Sequence, residues 1–365
     1  MTLVYNESRW ILLYLVTILF FGCHTNENNE NTFKSLKVFS PRNYDHLKDR
    51  SFMKIGFGSC LDQKKPLPIF DAIKAVEPDL FIMLGDNVYG DTHDGDLTEM
   101  SKAYDRQKTN FHELELGFPV EAIWDDHDYG LNDAGGNYAH KVASEQLFFD
   151  FWEISNDDAR RTRPGLYREQ RFSINGNIIQ IIYLDMRYFR GKLTSTDEKG
   201  AEGKERYVPS TDTTQTMLGK VQWVWLKGKL GIEADYRLII SSIQFLAMGH
   251  GWECWQMMPH ERKRMIDLID SLSINNILFI SGDRHRGGLY QFTTPHGNTI
   301  HEITSSPLNA TTFPGEENGV LRKGGTYTNH NFGMIKIDVS QNLVKAELLD
   351  QEGQIINYLM VGSEF

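Results

Sequence analysis

From Ser51 onward, short apolar runs that read as buried strands alternate with segments of helical spacing, and polar, metal-competent residues stand directly after several of those strands. Alternation of this kind argues for an α/β sheet with helices on its faces. Residues 53–59 (MKIGFGS), 80–84 and 120–124 read as strands. Helices are expected over 67–76, carrying Ile69, Phe70, Ile73 and Val76, and over 144–152, with Leu147, Phe148 and Phe151 inward. Leu166 to Ile174 and Asn177 to Asp185 flank Asn175-Gly176, a strong hairpin turn signal. Residues 188–214 are polar and glycine-bearing and read as a long loop, a candidate lid. A helix with Val221, Trp223, Trp225 and Leu226 follows, then a strand over 238–243, a helix over 260–272 and a strand over 277–281. Runs at 300–304, 332–339, 343–349 and 355–360 read as a meander closing a second sheet. With 40% hydrophobic and 24% charged residues, a sizeable core is expected, and one domain over 51–365 is the economical division.

Residues 1–23 carry one cation, Arg9, then an apolar run from Trp10 to Phe21 before Gly22 and Cys23. The run is too short to span a membrane, which takes about 20 residues, and fits the hydrophobic region of an export signal. Its ending resembles a lipoprotein cleavage site, so Cys23 is the expected lipidation point, with ordinary cleavage near Gly22 as the alternative. Residues 24–50, opening with HTNENNEN, are expected to act as a tether, which places the protein in the periplasm or on the cell surface of a bacterium, bound to the membrane through a lipid. With 38 basic against 49 acidic residues and net charge −11, a stable nucleic-acid partner is not expected. Oligomeric state is not readable.

The strand ends carry the chemistry. The first strand ends at Cys60, the second in Gly85-Asp86-Asn87-Val88-Tyr89, the third in Asp125-Asp126-His127-Asp128, and a later one in Gly282-Asp283-Arg284-His285. In open α/β sheets ligands bind outside the carboxyl ends of strands. Singly, each of these residues has a structural explanation; four in succession point to one metal site.

The motifs FGSC, GDNVYGD, WDDHD and SGDRH, in that order, resemble the PhoD-like branch of the metallophosphoesterases, and LDMR, SSIQF, HGWECW and EITSSP extend the resemblance over nearly everything after residue 50. It implies two mixed β-sheets packed face to face and flanked by helices, a four-layer αββα arrangement. It also implies a metal-dependent alkaline phosphatase or phosphodiesterase in which a metal-bound hydroxide attacks a small phosphate ester in line.

Asp86 is the natural bridging ligand, because a carboxylate offers two oxygens. Tyr89 beside Cys60 argues for a trivalent ion, since a phenol binds as phenolate only next to a strongly polarising centre, and His285 completes that set. Asp86, Asp126, Asn132 and Asp283 offer hard oxygens suited to calcium. The resemblance implies the same Fe(III) and Ca2+ pairing, with Zn2+ or Mn2+ as alternatives. His127 is the expected proton donor or phosphorane-stabilising group, and Asp125 and Asp128 are expected to orient it. Arg187 either forks onto phosphate oxygens or pairs with Asp185. His250 and Trp252 are expected to form a substrate-side wall. Asp91, Asp94 and Asp96 read as a solvated acidic loop. The competing function is a surface lipoprotein that binds a ligand or metal on the same fold without turnover.

Overall fold

The computed structural model describes residues 37–92, 97–201, 204–275, 277–315 and 319–361, and residues 38–365 form one compact unit. Cys23, Asp94 and Asp96 lie outside the described residues.

The first sheet has the order β14-β13-β12-β1-β2-β3. It is built from β1 (Phe52–Gly58), β2 (Leu80–Met83), β3 (Val120–Ala122), β12 (Asn331–Asp338), β13 (Leu343–Asp350) and β14 (Ile355–Val361). β1, β2 and β3 run parallel, and β12 to β14 join antiparallel. The second sheet, β10-β11-β9-β8-β5-β4, comprises β4 (Arg168–Ile174), β5 (Asn177–Tyr183), β8 (Tyr236–Ile240), β9 (Ile277–Ser281), β10 (Gly288–Thr293) and β11 (Thr299–Thr304).

Two features differ from expectation. The final meander closes the sheet that holds β1, not a second one, while β11 pairs with β9 in the other sheet. Residues 188–214 are also less irregular than a bare loop, since β6 (Thr194–Ser195) and β7 (Tyr207–Val208) form a small antiparallel pair.

The sheets face each other across one apolar layer, in which Ile55, Phe57 and Ile82 meet Ile181, Leu238 and Ile280, all fully buried or nearly so. This follows from the sequence, because parallel strands covered on both faces must be apolar on both. Helices cover the outer faces. α1 (Ile69–Ala75), α2 (Thr98–Leu114), the short α3 (Asp126–Tyr129) and α4 (Lys141–Phe151) lie on the first sheet's side. α5 (Gly219–Leu230) and α6 (Pro259–Ser271) lie on the second's. α5 buries Trp223 and Leu226 but leaves Val221 61% exposed, so its inward stripe is narrower than the run of apolar residues suggested.

Residues 38–50 pack onto this body. The Val38 N–H donates to Glu153 Oε1, Phe39 stacks on Trp152, and Arg42 and Tyr44 reach Glu121 on β3. The packed chain therefore begins well before residue 50.

Close strand contact sets one strict requirement. A Cβ on Gly333 of β12 would lie 1.9 Å from Cζ of Phe57 on β1. Gly333→Ala is expected to destabilise the fold by about 1–3 kcal/mol through overpacking, read as a fall of several degrees in the midpoint of thermal unfolding.

Candidate metal centre

Strand ends place every acidic ligand candidate on one rim. Cys60 follows β1, Asp86 follows β2, Asp125–Asp128 follow β3, and Asp283 and His285 follow β9. Cys60, Asp86, Asp283 and His285 all have positive φ, at 59°, 49°, 65° and 50°. Such a conformation costs a non-glycine residue about 1–2 kcal/mol, and it turns each side chain back over the strand end instead of onward with the chain. Gly85, at φ 107°, allows the close approach of β2 to β3, because a Cβ there would lie 2.5 Å from Asp125 Cβ.

Ligand atoms cluster in three overlapping groups, each within 4.8 Å: Cys60, Asp86 and His285; Asp86, Asp126 and His127; and Asp86, Asp125, Asp126 and Asp283. Asp86 belongs to all three. Its Oδ2 lies 3.4 Å from Cys60 Sγ and 3.5 Å from the Tyr89 hydroxyl. Tyr89 in turn lies 3.3 Å from His285 Nε2. His285 Nδ1 is bound to the Thr311 carbonyl, which fixes the proton on Nδ1 and leaves Nε2 with its lone pair toward Tyr89 and the cluster. Burial, with Arg284, pulls His285 down to about 4, so the ring is neutral.

The electrostatics match a cation site. Burial and then Asp126 push Asp283 up to about 7, and burial and Asp126 push Asp86 well above the carboxylate range. Burial, with Asp86 and Asp283, raises the Cys60 thiol, and burial, with Cys60 and Asp86, raises Tyr89. Asp126 goes the other way. Burial raises it, but His127, Arg187 and the Asp133 N–H, which donates to Oδ2 at 2.6 Å, together hold it below the usual range. A set of two soft or phenolic donors, one imidazole and several buried carboxylates fits bound metal cations, with Asp86 common to every group.

A cavity of about 540 Å3 opens at the cluster, lined by Asp86, Asp126, His127 and Asp283 together with His250, Trp252 and three arginines. His127 Nδ1 lies 2.5 Å from Asp91 Oδ2. Burial pulls the imidazole down, but Asp126, Asp86 and Asp91 outweigh it and push it up to about 11.

A model of the PhoD-like phosphatase family matches residues 56–348. This chain belongs to that family. Alkaline phosphatase D of Bacillus subtilis (strain 168) is 23% identical over 60% of this chain and 40% of its own length, so the chain spans less than half of that relative. A solved structure described as that of PhoD overlays with a TM-score of 0.65 at 16% identity, covering 86% of this chain and 68% of that one. GAP50, described as the anchor in the inner membrane complex of Plasmodium, gives 0.53 at 12% identity over 86% and 90% of the two chains. The purple acid phosphatase PPD1 from yellow lupin (Lupinus luteus) seeds gives 0.53 at 9% over 86% and 54%. At these identities the overlays speak for the fold, two mixed sheets with flanking helices.

Within this PhoD-like fold, the residues expected at the metals, Cys60, Asp86, Tyr89, Asp126, Asp283 and His285, come together, and Asn132 lines the cavity beside them. His250 and Trp252 line the same cavity. His250 Nδ1 accepts the Trp252 N–H at 3.2 Å, which puts the proton on Nε2, a buried atom with no hydrogen-bond partner among the described residues. Trp252 lies under two guanidiniums, Arg206 at 5.0 Å and Arg284 at 5.1 Å from its ring centre.

Arg187 is corrected. It is fully buried, held by Asp125 at 2.5 Å and Glu253 at 2.7 Å, and does not line the cavity, so it is not a phosphate fork. Nor is Asp185 its partner in the expected sense, since that carboxylate accepts backbone N–H groups of Leu166, Arg187 and Tyr188. Asp125 and Asp128 do not touch the His127 ring. They form a reciprocal cap on α3, and Asp128 also binds the Asn87 side chain. The group that orients His127 is Asp91, which the sequence left in a solvated loop; its position two residues after Tyr89, next to Gly90, gave no sign of which way it turned.

Arg187 compensates carboxylates instead of binding substrate, which makes it a test of the site's architecture. Arg187→Gln leaves Asp125 buried without its cation and Glu253 with Arg190 alone, and should cost about 3–5 kcal/mol. Thermal unfolding of the variant should fall far more than that of Trp252→Ala, whereas a phosphate-binding role would lower activity with little change in stability.

Proposed function

We propose that this chain is an exported, metal-dependent phosphoesterase, an alkaline phosphatase or phosphodiesterase, that hydrolyses small phosphate esters. The observation that carries the reading is the sharing of Asp86 among three ligand groups, with two chemically different halves around it. Cys60, Tyr89 and His285 with Asp86 suit Fe(III), because burial and carboxylates push Cys60 and Tyr89 up, so a cation must supply a strong field to hold them as anions. Asp86, Asp126, Asn132 and Asp283 are hard donors that suit Ca2+. When bound, such ions polarise the phosphoryl group and supply a nucleophile near neutral pH.

The chain's own groups divide the remaining work. His127, oriented by Asp91, protonates the departing ester oxygen. The His250 Nε2–H and the arginines that line the cavity orient the phosphoryl oxygens. Residues 1–23 act as the export signal, with Cys23 lipidated and the protein held at the periplasmic or outer surface. A complete donor set favours turnover over the alternative of a non-catalytic binding lipoprotein.

Two measurements test this. Hydrolysis of 4-nitrophenyl phosphate and bis(4-nitrophenyl) phosphate should be lost on chelation and in Asp86→Ala. Iron bound near stoichiometrically should give a visible charge-transfer band that weakens in Tyr89→Phe and Cys60→Ser, while a colourless zinc or manganese protein would discard the roles given to those two residues. Asp91→Asn should lower kcat by about 10–100-fold with KM nearly unchanged; a change confined to KM would remove Asp91 from the proton-donor role.

A further inference from the structure

The cavity at the cluster continues past Arg206. A second cavity of about 370 Å3 shares Asn132, Asp133 and Arg206 with it and extends along Ser195, Thr196, Lys199 and Tyr207. Every described residue lining it is polar. The one carboxylate among them, Asp133, is covered, accepting from Arg206 Nη1 at 2.5 Å and from the Tyr207 hydroxyl at 2.8 Å. Lys199 is exposed and makes no ion pair among the described residues, so the described lining, in a chain of net charge −11, offers a cation and no uncovered anion.

The cavity is also preformed and adjacent to the chemistry. The Asp133 N–H donates to Asp126 Oδ2 at 2.6 Å, which fixes the shared wall one peptide away from the ligand cluster. The Arg206–Tyr207 segment is docked by backbone, because the Gly251 carbonyl accepts from both the Arg206 and Tyr207 N–H groups at 2.8 Å. A side chain at Gly251 would break that contact, its Cβ lying 2.6 Å from the Glu205 nitrogen.

Resting on the phosphoesterase reading, we propose that the second cavity holds a second anionic group of the substrate, a carboxylate or phosphate joined to the scissile phosphate by a short arm, and that Lys199 selects for it. A cation beside hydroxyl and amide donors, with the nearby carboxylate already paired, attracts an anion and discriminates against an uncharged arm of the same length.

The test compares inhibition constants of butylphosphonate, 4-phosphonobutyrate and propane-1,3-bisphosphonate on the wild-type enzyme in excess calcium, repeated in Lys199→Gln. The second charge should tighten inhibition about tenfold in the wild type, and Lys199→Gln should shrink that advantage to about threefold or less while leaving butylphosphonate unchanged. Equal inhibition by all three in the wild type overturns the proposal, as does an advantage that survives Lys199→Gln. A gain with only one of the two compounds bearing an anionic arm tells carboxylate from phosphate. Calorimetric titration with the same compounds reads the same difference without turnover. Absence of any ester hydrolysis would therefore sink the phosphoesterase reading and leave this comparison standing.

Discussion

Mutual repulsion among Asp86, Asp125, Asp126 and Asp283 is the constraint that the rest of the site answers. These carboxylates offer oxygens within 4.8 Å of one another in a buried setting, where each added negative charge is costly. The protein meets part of that cost with its own cations. Arg187 sits fully buried between Asp125 and Glu253, and Glu253 also takes Arg190 at 2.8 Å. His127 sits between Asp86, Asp91 and Asp126. The rest is left for bound metal, and the raised positions of Asp86 and Asp283 mark where that remaining demand lies.

The backbone bears a cost of its own. Four of the residues at the centre hold left-handed conformations that side chains other than glycine rarely adopt. Each stands just past a strand whose register is locked by neighbours on both sides and by a dry layer between the sheets. Strain survives where surrounding structure over-determines it. The rigid sheets and the distorted strand ends are thus two parts of one device, in which packing stability is converted into side-chain direction.

Much of this was legible beforehand, and the reasons are specific. Strand ends were visible because β1, β2 and β9 are apolar but for Lys54 and Ser281, and Cys60, Asp86 and Asp283 follow them within three residues. The Asn175-Gly176 hairpin was visible because its turn demands positive φ at both positions, observed at 45° and 82°. α2 was not, although Met100, Ala103, Tyr104, Gln107 and Phe111 fall on one face, because one of its buried positions is a glutamine and charged residues surround them. β10 was hidden by its mixed polarity, with Gln291 between Tyr290 and Phe292 and Thr293 at its end. The meander's sheet could not be assigned because partner choice for antiparallel strands is a long-range matter that local alternation does not encode. Residue direction was harder still. Nothing local separates Arg187, turned into the protein, from Arg284 and Arg286, which line the cavity.

The docking of residues 38–50 bears on how far such an enzyme could range. Arg42 and Tyr44 hold this segment to Glu121, next to the strand that leads into Asp125–Asp128. If Cys23 carries a lipid, the chain between it and the packed body is residues 24–37, 14 residues and not 27. A chain of that length spans at most about 50 Å, whatever its conformation. That length would then set the farthest the ligand-bearing body could stand from the lipid.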